Sequence, residues 1–179
     1  MSKGFEQEII QKVTNGDTDA FEFLVKKYEK QIFIMVTNLM RMSNRIEDTV
    51  QDIFFNAYKH IKRYDPDKGK FSTWIFRIAR NRCLNELKRK KERSFPEAFD
   101  IPEKGNPENY LMYKEFLIKL DRSLDRLPYK NKVVLVLADL QGLSYEEIAQ
   151  IEKTNTGTVK SRLFRARQKL RSTLEPYRG

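Results

Sequence analysis

Cysteine and histidine are almost missing from this 179-residue chain, with Cys83 and His60 the single representatives of each. A lone cysteine excludes an internal disulfide, and with one histidine there is no Cys/His cluster of the kind that holds zinc. No metal and no cofactor are therefore expected. Long apolar runs are missing too. Mean hydropathy is −0.68, and no stretch approaches the roughly 20 residues that a membrane-spanning helix needs. The amino terminus, MSKGFEQEII, has acids where a signal peptide would carry its apolar segment, which predicts a cytoplasmic protein. Glycine and proline are sparse, at seven and six, and no hairpin signal appears. An all-α fold is expected. Clustered carboxylates for a metal, or a nucleophile paired with a base, are also lacking, so neither catalytic residues nor a small-molecule substrate are predicted. Asp65 and Asp67 lie close together, but Asp-Pro-Asp reads as a turn.

What the chain does have is positive charge in two places. Its 35 basic and 25 acidic residues give a formal net charge of +10. Residues 1–93 carry +7, residues 94–127 carry −2 and residues 128–179 carry +5. Two basic lobes around a slightly acidic segment suit two contacts with a polyanion, nucleic acid rather than membrane.

Apolar residues recur at three- and four-residue spacing along most of the chain. Helices are predicted at about 5–14, 17–41, 45–62, 72–92, 107–126, 128–140, 144–151 and 156–174. The break falls at SFPEAFDIPEKGN, where Pro96, Pro102 and Gly105 interrupt any regular element. Residues 1–93 are accordingly read as one domain, 94–106 as a flexible linker and 107–179 as a second domain, with Asn106-Pro107 restarting a helix. The run VVLVLADL is too apolar for a surface helix and should form the scaffold on which the carboxy-terminal helices pack.

Those carboxy-terminal helices are two short segments joined by a tight turn. Ser144 and Glu147 form a capping-box pair, with Ile148, Ala149 and Ile151 on one face of the first helix. Asn155 or Thr156 can cap the second, in which Val159, Leu163, Ala166, Leu170 and Leu174 form one stripe at 100° per residue. Opposite lie Thr158, Ser161, Arg165 and Gln168, flanked by Lys160, Arg162, Arg167, Lys169 and Arg171. No acid occurs between Lys153 and Leu174. This is the pattern of a helix-turn-helix whose second helix enters a major groove.

A second block, RYDPDKGKFSTWIFRIARNRCLN, places an aromatic and basic loop before a basic helix. Tyr64, Phe71 and Trp74 stand with Arg63, Lys68 and Lys70, a mixture that binds unstacked bases while following a backbone; Phe71 and Trp74 read equally as core. In the next helix Arg77, Asn81, Asn85 and Lys88 share a polar face flanked by Arg80. Upstream, Asp48 suits a helix amino terminus, whereas Gln51, Asp52 and Asn56 continue a polar stripe that a protein partner could use.

Together, EDTVQDIFFNAY, FSTWIFRIARNRCLNELKR and LPYKNKVVLVLADLQGLSYEEIAQIEKTNTGTVKSRLFRARQKL strongly resemble the extracytoplasmic-function group of bacterial sigma-70-type RNA polymerase sigma factors. The likeness runs over almost the whole chain. It implies a sigma-2-like helical bundle and a sigma-4-like helix-turn-helix domain joined by the linker. It further implies core RNA polymerase as partner, through its clamp coiled coil and flap, promoter DNA as ligand, and an anti-sigma factor as regulator. By the same resemblance Asp48, Gln51, Asp52 and Phe55 would meet the clamp. Tyr64, Lys68, Lys70, Phe71 and Trp74 would trap a base flipped from the -10 element, and Arg77, Arg80, Asn81 and Asn85 would hold that element. Asn155, Thr156, Thr158, Lys160, Ser161, Arg162, Arg165 and Arg167 would bind the -35 element. The chain departs from many relatives at Glu152 and Asn155, where a small turn residue and a proline are common, and in the loop DPDKGK. The rival reading, a free-standing helix-turn-helix regulator, predicts binding to a palindromic duplex without polymerase.

Overall fold

The computed structural model describes residues 3–40, 43–91, 118–120 and 122–175, and among them there is no strand. They fall into two compact units, one of residues 1–94 together with 150–153 and the other of the remaining residues.

The first unit is built from α1 (Lys3–Thr14), α2 (Phe21–Met40), α3 (Ile46–Lys59) and α4 (Phe71–Lys91). In α2, Leu24, Tyr28, Ile32, Met35, Val36 and Leu39 recur at helical spacing and are all buried. α3 contributes Ile53 and Ala57, and α4 contributes Phe71, Ile75, Phe76, Ala79 and Cys83, each at most 1% exposed. These three helices pack pairwise, and α1 lies on α2 and on a short 3₁₀ turn at Ile61–Arg63. Burial on this scale dominates the unit's stability, at about 1.5–3 kcal/mol for each large apolar side chain.

The helix expected from residue 17 starts instead at Phe21. Gly16 ends α1 at φ 106°, a left-handed conformation that glycine adopts without strain. The Asp17 carboxylate then accepts from the Ala20 amide at 3.1 Å, holding 17–20 as a turn. Helix 45–62 is likewise shorter than expected, since α3 ends at Lys59 and the chain tightens into the 3₁₀ turn.

In the second unit α5 (Tyr129–Leu135) passes into a π turn at Val136–Leu140, after which come α6 (Tyr145–Glu152) and α7 (Thr156–Leu174). Val133, Val134 and Leu137 are fully buried, as the apolar run predicted, and α5 packs along α7. Lys132 is buried with them and keeps its charge partner, with Asp125 2.9 Å away. Of the predicted helix 107–126, residues 118–120 and 122–125 are helical, while 107–117 and the linker 94–106 lie outside the described residues.

Candidate nucleic-acid and polymerase interfaces

The helix-turn-helix closes through three local bonds that its sequence dictates. Glu147 returns a carboxylate oxygen to the Ser144 amide at 2.9 Å while Ser144 Oγ accepts from the Glu147 amide at 3.2 Å. Asn155 Oδ1 accepts from the Thr158 amide at 2.7 Å, capping α7. Between them the turn requires a left-handed residue, and Lys153 takes it at φ 51°. Val159, Leu163 and Ala166 are buried, and Leu170 is partly so; the Leu174 side chain lies outside the described residues.

On the outer side of α7, Lys160, Ser161 and Arg165 are exposed and Thr156, Thr158 and Arg162 half-buried. Lys160 sits 5.9 Å over the Tyr145 ring, and the Ser161 hydroxyl donates to the Thr158 carbonyl at 3.0 Å. Two of the expected DNA contacts also have partners within the unit. Asn155 is engaged as the cap, and Arg167 forms a two-pronged pair with Asp139, its Nε 3.2 Å from Oδ2. Arg167 thereby ties α7 to the π turn, with its side chain still 54% exposed. One exposed ring was not expected from the sequence. Phe164 is 67% exposed beside a recess of about 610 Å³ that Tyr145, Lys160 and Arg171 also line.

In the first unit, α3 carries the expected polar stripe with one change. Asp48 is 67% exposed at its side chain, Gln51 is exposed, and Phe55 is 65% exposed, unusual for so large a ring. Asp52 is half-buried and bonded by the Arg82 guanidinium of α4. Arg82 also reaches the buried Glu86 at 2.9 Å, which receives Arg45 Nη1 at 3.1 Å. Asp52 thus joins a network between α3 and α4 while its side chain stays 44% exposed.

The loop before α4 is held by its own polar atoms. Asp65 Oδ1 accepts from the Asp67 amide at 3.0 Å and Asp65 Oδ2 pairs with Lys68 Nζ at 2.7 Å. That pairing holds the Asp65 carboxyl below its ordinary range and raises the Lys68 ammonium. Gly69 sits at φ 152°, and its carbonyl accepts from the Tyr64 hydroxyl at 3.1 Å. Burial keeps that phenol protonated by raising its pKa. Phe71 is corrected from a base contact: it is fully buried, with ring centroids of Tyr28, Tyr64 and Trp74 at 5.6, 5.3 and 5.4 Å. A ring with no exposed face cannot stack on a base. It supports Tyr64 and Trp74, which are half-buried and keep accessible edges. Lys68 and Lys70 are exposed and Arg77 is half-buried, and along α4 Asn81 and Asn85 are exposed, with Arg80 donating to Asn81 Oδ1 at 3.0 Å. Among the described residues no group of three or more His, Cys, Asp or Glu could hold a metal ion, and no helix is long and apolar enough to cross a membrane.

These features define a class: a two-unit helical protein with a capped, basic helix-turn-helix and an aromatic, cationic loop. Comparison with known proteins narrows it. Residues 24–93 match the family model for Sigma-70 region 2 and residues 117–170 that for Sigma-70, region 4. The chain is 32% identical to the ECF RNA polymerase sigma-E factor of Escherichia coli K12, with 96% of this chain and 95% of that protein covered. It is 29% identical to the RNA polymerase sigma-H factor of Pseudomonas aeruginosa, over 96% and 94% of the two chains. Two solved structures share the fold at 24% identity. CnrH, in complex with the cytosolic domain of CnrY, gives a TM-score of 0.72 over 94% of this chain and 96% of that one. The Bartonella quintana sigma factor RpoE, crystallised with the anti-sigma factor NepR, gives 0.66 over 97% and 98%. The chain belongs to the ECF group of sigma-70-family RNA polymerase sigma factors.

Proposed function

We propose that this sigma factor binds core RNA polymerase through Asp48, Gln51 and Phe55 of α3 on the clamp coiled coil, with the second unit on the flap, and directs initiation at its promoters. Ser161 and Arg165 of α7 read the -35 element, assisted by Lys160 and Arg162, and the exposed Phe164 supplies an apolar surface for a thymine methyl. The loop at Tyr64–Lys70 and the Arg77, Asn81 and Asn85 face of α4 take the -10 element, with Tyr64 and Trp74 meeting an extruded base. The polypeptide supplies binding and strand separation, and nucleotide chemistry belongs to the polymerase. Its partners place it in the bacterial cytoplasm. An anti-sigma factor is expected as regulator, as RpoE has in its crystal structure.

The observation that carries this reading is full-length similarity to ECF sigma factors combined with an exposed aromatic on α3 that the first unit's own packing leaves uncovered. The test is reconstitution. Core polymerase with this chain should start transcription at defined promoters from a genomic library, while the chain alone should retain no duplex. Tight binding to a palindromic duplex without core would favour a free-standing regulator.

A further inference from the structure

Behind the α3 face that carries Asp48 and Asp52 lies a buried carboxylate, Glu86 of α4, 6% exposed. Three guanidiniums converge on it. Arg45 Nη1 donates to Oε2 at 3.1 Å, Arg82 Nη2 stands 2.9 Å from Oε1, and Arg89 Nη1 stands 3.6 Å from Oε1. Two of the three also reach an acid of α3. Arg82 Nη2 donates to Asp52 Oδ2, and Arg45 Nε lies 3.9 Å from Asp48 Oδ2. One Arg82 nitrogen is therefore shared between Asp52 and Glu86, and its aligned hydrogen bond goes to Asp52. Glu86 Oε1 accepts no hydrogen bond among the described residues, and the buried Arg82 Nε donates none. A buried acceptor and a buried donor on adjoining side chains thus both stand open, each at the cost of its desolvation.

We propose that Glu86 is a positioning residue of the polymerase interface: it takes Arg82 from Asp52 and keeps Arg45 from Asp48, so that both α3 carboxylates can pair with a cationic surface of core polymerase. The inference rests on reading this face of α3 as the clamp contact. Asp48 and Asp52 stand four residues apart, so their carboxylates lie one turn apart on one side of the helix, a spacing suited to a basic partner. An arginine cannot shed its charge, and where it is packed it needs a carboxylate. Without Glu86, the guanidiniums of Arg45 and Arg82 have only Asp48 and Asp52, the groups the partner requires. With Glu86, binding exchanges one pair for another. The partner's cation takes Asp52, Arg82 turns onto Glu86 Oε1, and the open acceptor and donor are closed in the same movement. No charge is left unpaired, so the large cost of breaking a buried ion pair is avoided. Sequence alone does not single out Glu86, because Arg45 lies 41 residues before it and only the packing of α3 on α4 joins them.

The test measures affinity of the full chain for purified core polymerase, by competition with a fluorescent second sigma factor, with melting temperature recorded beside it. Glu86→Gln keeps the shape and removes the charge, so Arg82 stays on Asp52 and core affinity should fall about five- to tenfold. Adding Arg82→Met removes the competing guanidinium and should return affinity to within about twofold of wild type, although the unit melts lower. A purely structural network gives the opposite order. A double variant at least as weak as the single one would overturn the assignment, as would wild-type affinity in Glu86→Gln. Should Glu86→Gln unfold the unit, Arg82→Met alone answers the same question, since it leaves Glu86 with Arg45 and Arg89. It should bind core at least as tightly as wild type, and weaker binding would overturn the proposal. Asp48→Asn combined with Asp52→Asn tests the clamp reading by itself. A loss of affinity there, with none in Glu86→Gln, overturns the role of Glu86 alone, whereas unchanged affinity there overturns the clamp contact and the role of Glu86 together.

Discussion

Truncating Phe55 separates a polymerase contact from a structural residue. The ring is 65% exposed. Fully burying a phenylalanine is worth about 1.5–3 kcal/mol, so covering the exposed share at an interface contributes about 1–2 kcal/mol. Phe55→Ala should therefore weaken core binding about five- to thirtyfold, at 1.4 kcal/mol for each factor of ten. Folding should hardly notice, because an exposed side chain removed from a helix surface changes stability by about 0.5 kcal/mol or less. The assay is competition with a fluorescent second sigma factor for core polymerase, beside thermal unfolding monitored by circular dichroism. Asp52→Lys serves as the contrasting variant. It sets a cation against Arg82 and disturbs the Glu86 and Arg45 network, so melting temperature and core affinity should fall together. If Phe55→Ala retains wild-type core affinity with its fold intact, the placement of the clamp contact on α3 is wrong.

Phe71→Ala should cost about 3–5 kcal/mol of stability, the range for a phenylalanine removed from a packed core, whereas Tyr64→Ala and Trp74→Ala should lose less stability and yet impair promoter opening. Equal melting curves for all three would contradict the burial of Phe71. Arg165→Ala should cost about 1–3 kcal/mol on its own -35 sequence and relax preference at one position, while Lys160→Ala should weaken binding to all duplexes alike and lower the salt slope by about one. Parallel binding curves for the two variants on matched and scrambled duplexes would reduce α7 to a source of charge. Burial pushes the Cys83 thiol up to about 12. The unfolded chain ionises this thiol near its ordinary value and the folded chain does not, so its contribution to stability is complete below about pH 8.5 and is lost as pH rises toward 12. Native protein at pH 8 should resist alkylation at Cys83 and react on denaturation, as mass spectrometry would show.

What the sequence disclosed is mostly local. The Ser144–Glu147 box, the Asn155 cap and the Val159–Leu163–Ala166 stripe lie within a turn or two of one another, and side-chain chemistry at fixed spacing determines them. What it hid is the direction in which a side chain is used. Phe71 at a loop end reads as base contact or core with equal ease, and only three aromatic neighbours decide for core. Arg167 looked like one more cation on a basic face, yet Asp139, 28 residues earlier, claims it across the π turn. Arg82 claims Asp52 across 30 residues in the same way. Phe164 had a signal that went unused: it comes one residue after the buried Leu163, 100° off the stripe, where an apolar ring has no structural reason to stand.

Promoter opening tests the account most directly. With core polymerase and a promoter duplex, permanganate reactivity of thymines in the -10 element reports unstacked bases. Wild-type protein should open the duplex. Tyr64→Ala and Trp74→Ala should still bind core and bring it to the duplex but open it poorly, since a base stack worth about 1–3 kcal/mol no longer offsets a similar unstacking cost. A template already mismatched across the -10 element should partly restore both variants. Wild-type reactivity from both variants on the intact duplex would contradict the loop's role in opening, and absence of opening with wild-type protein and core at any promoter would contradict the account as a whole.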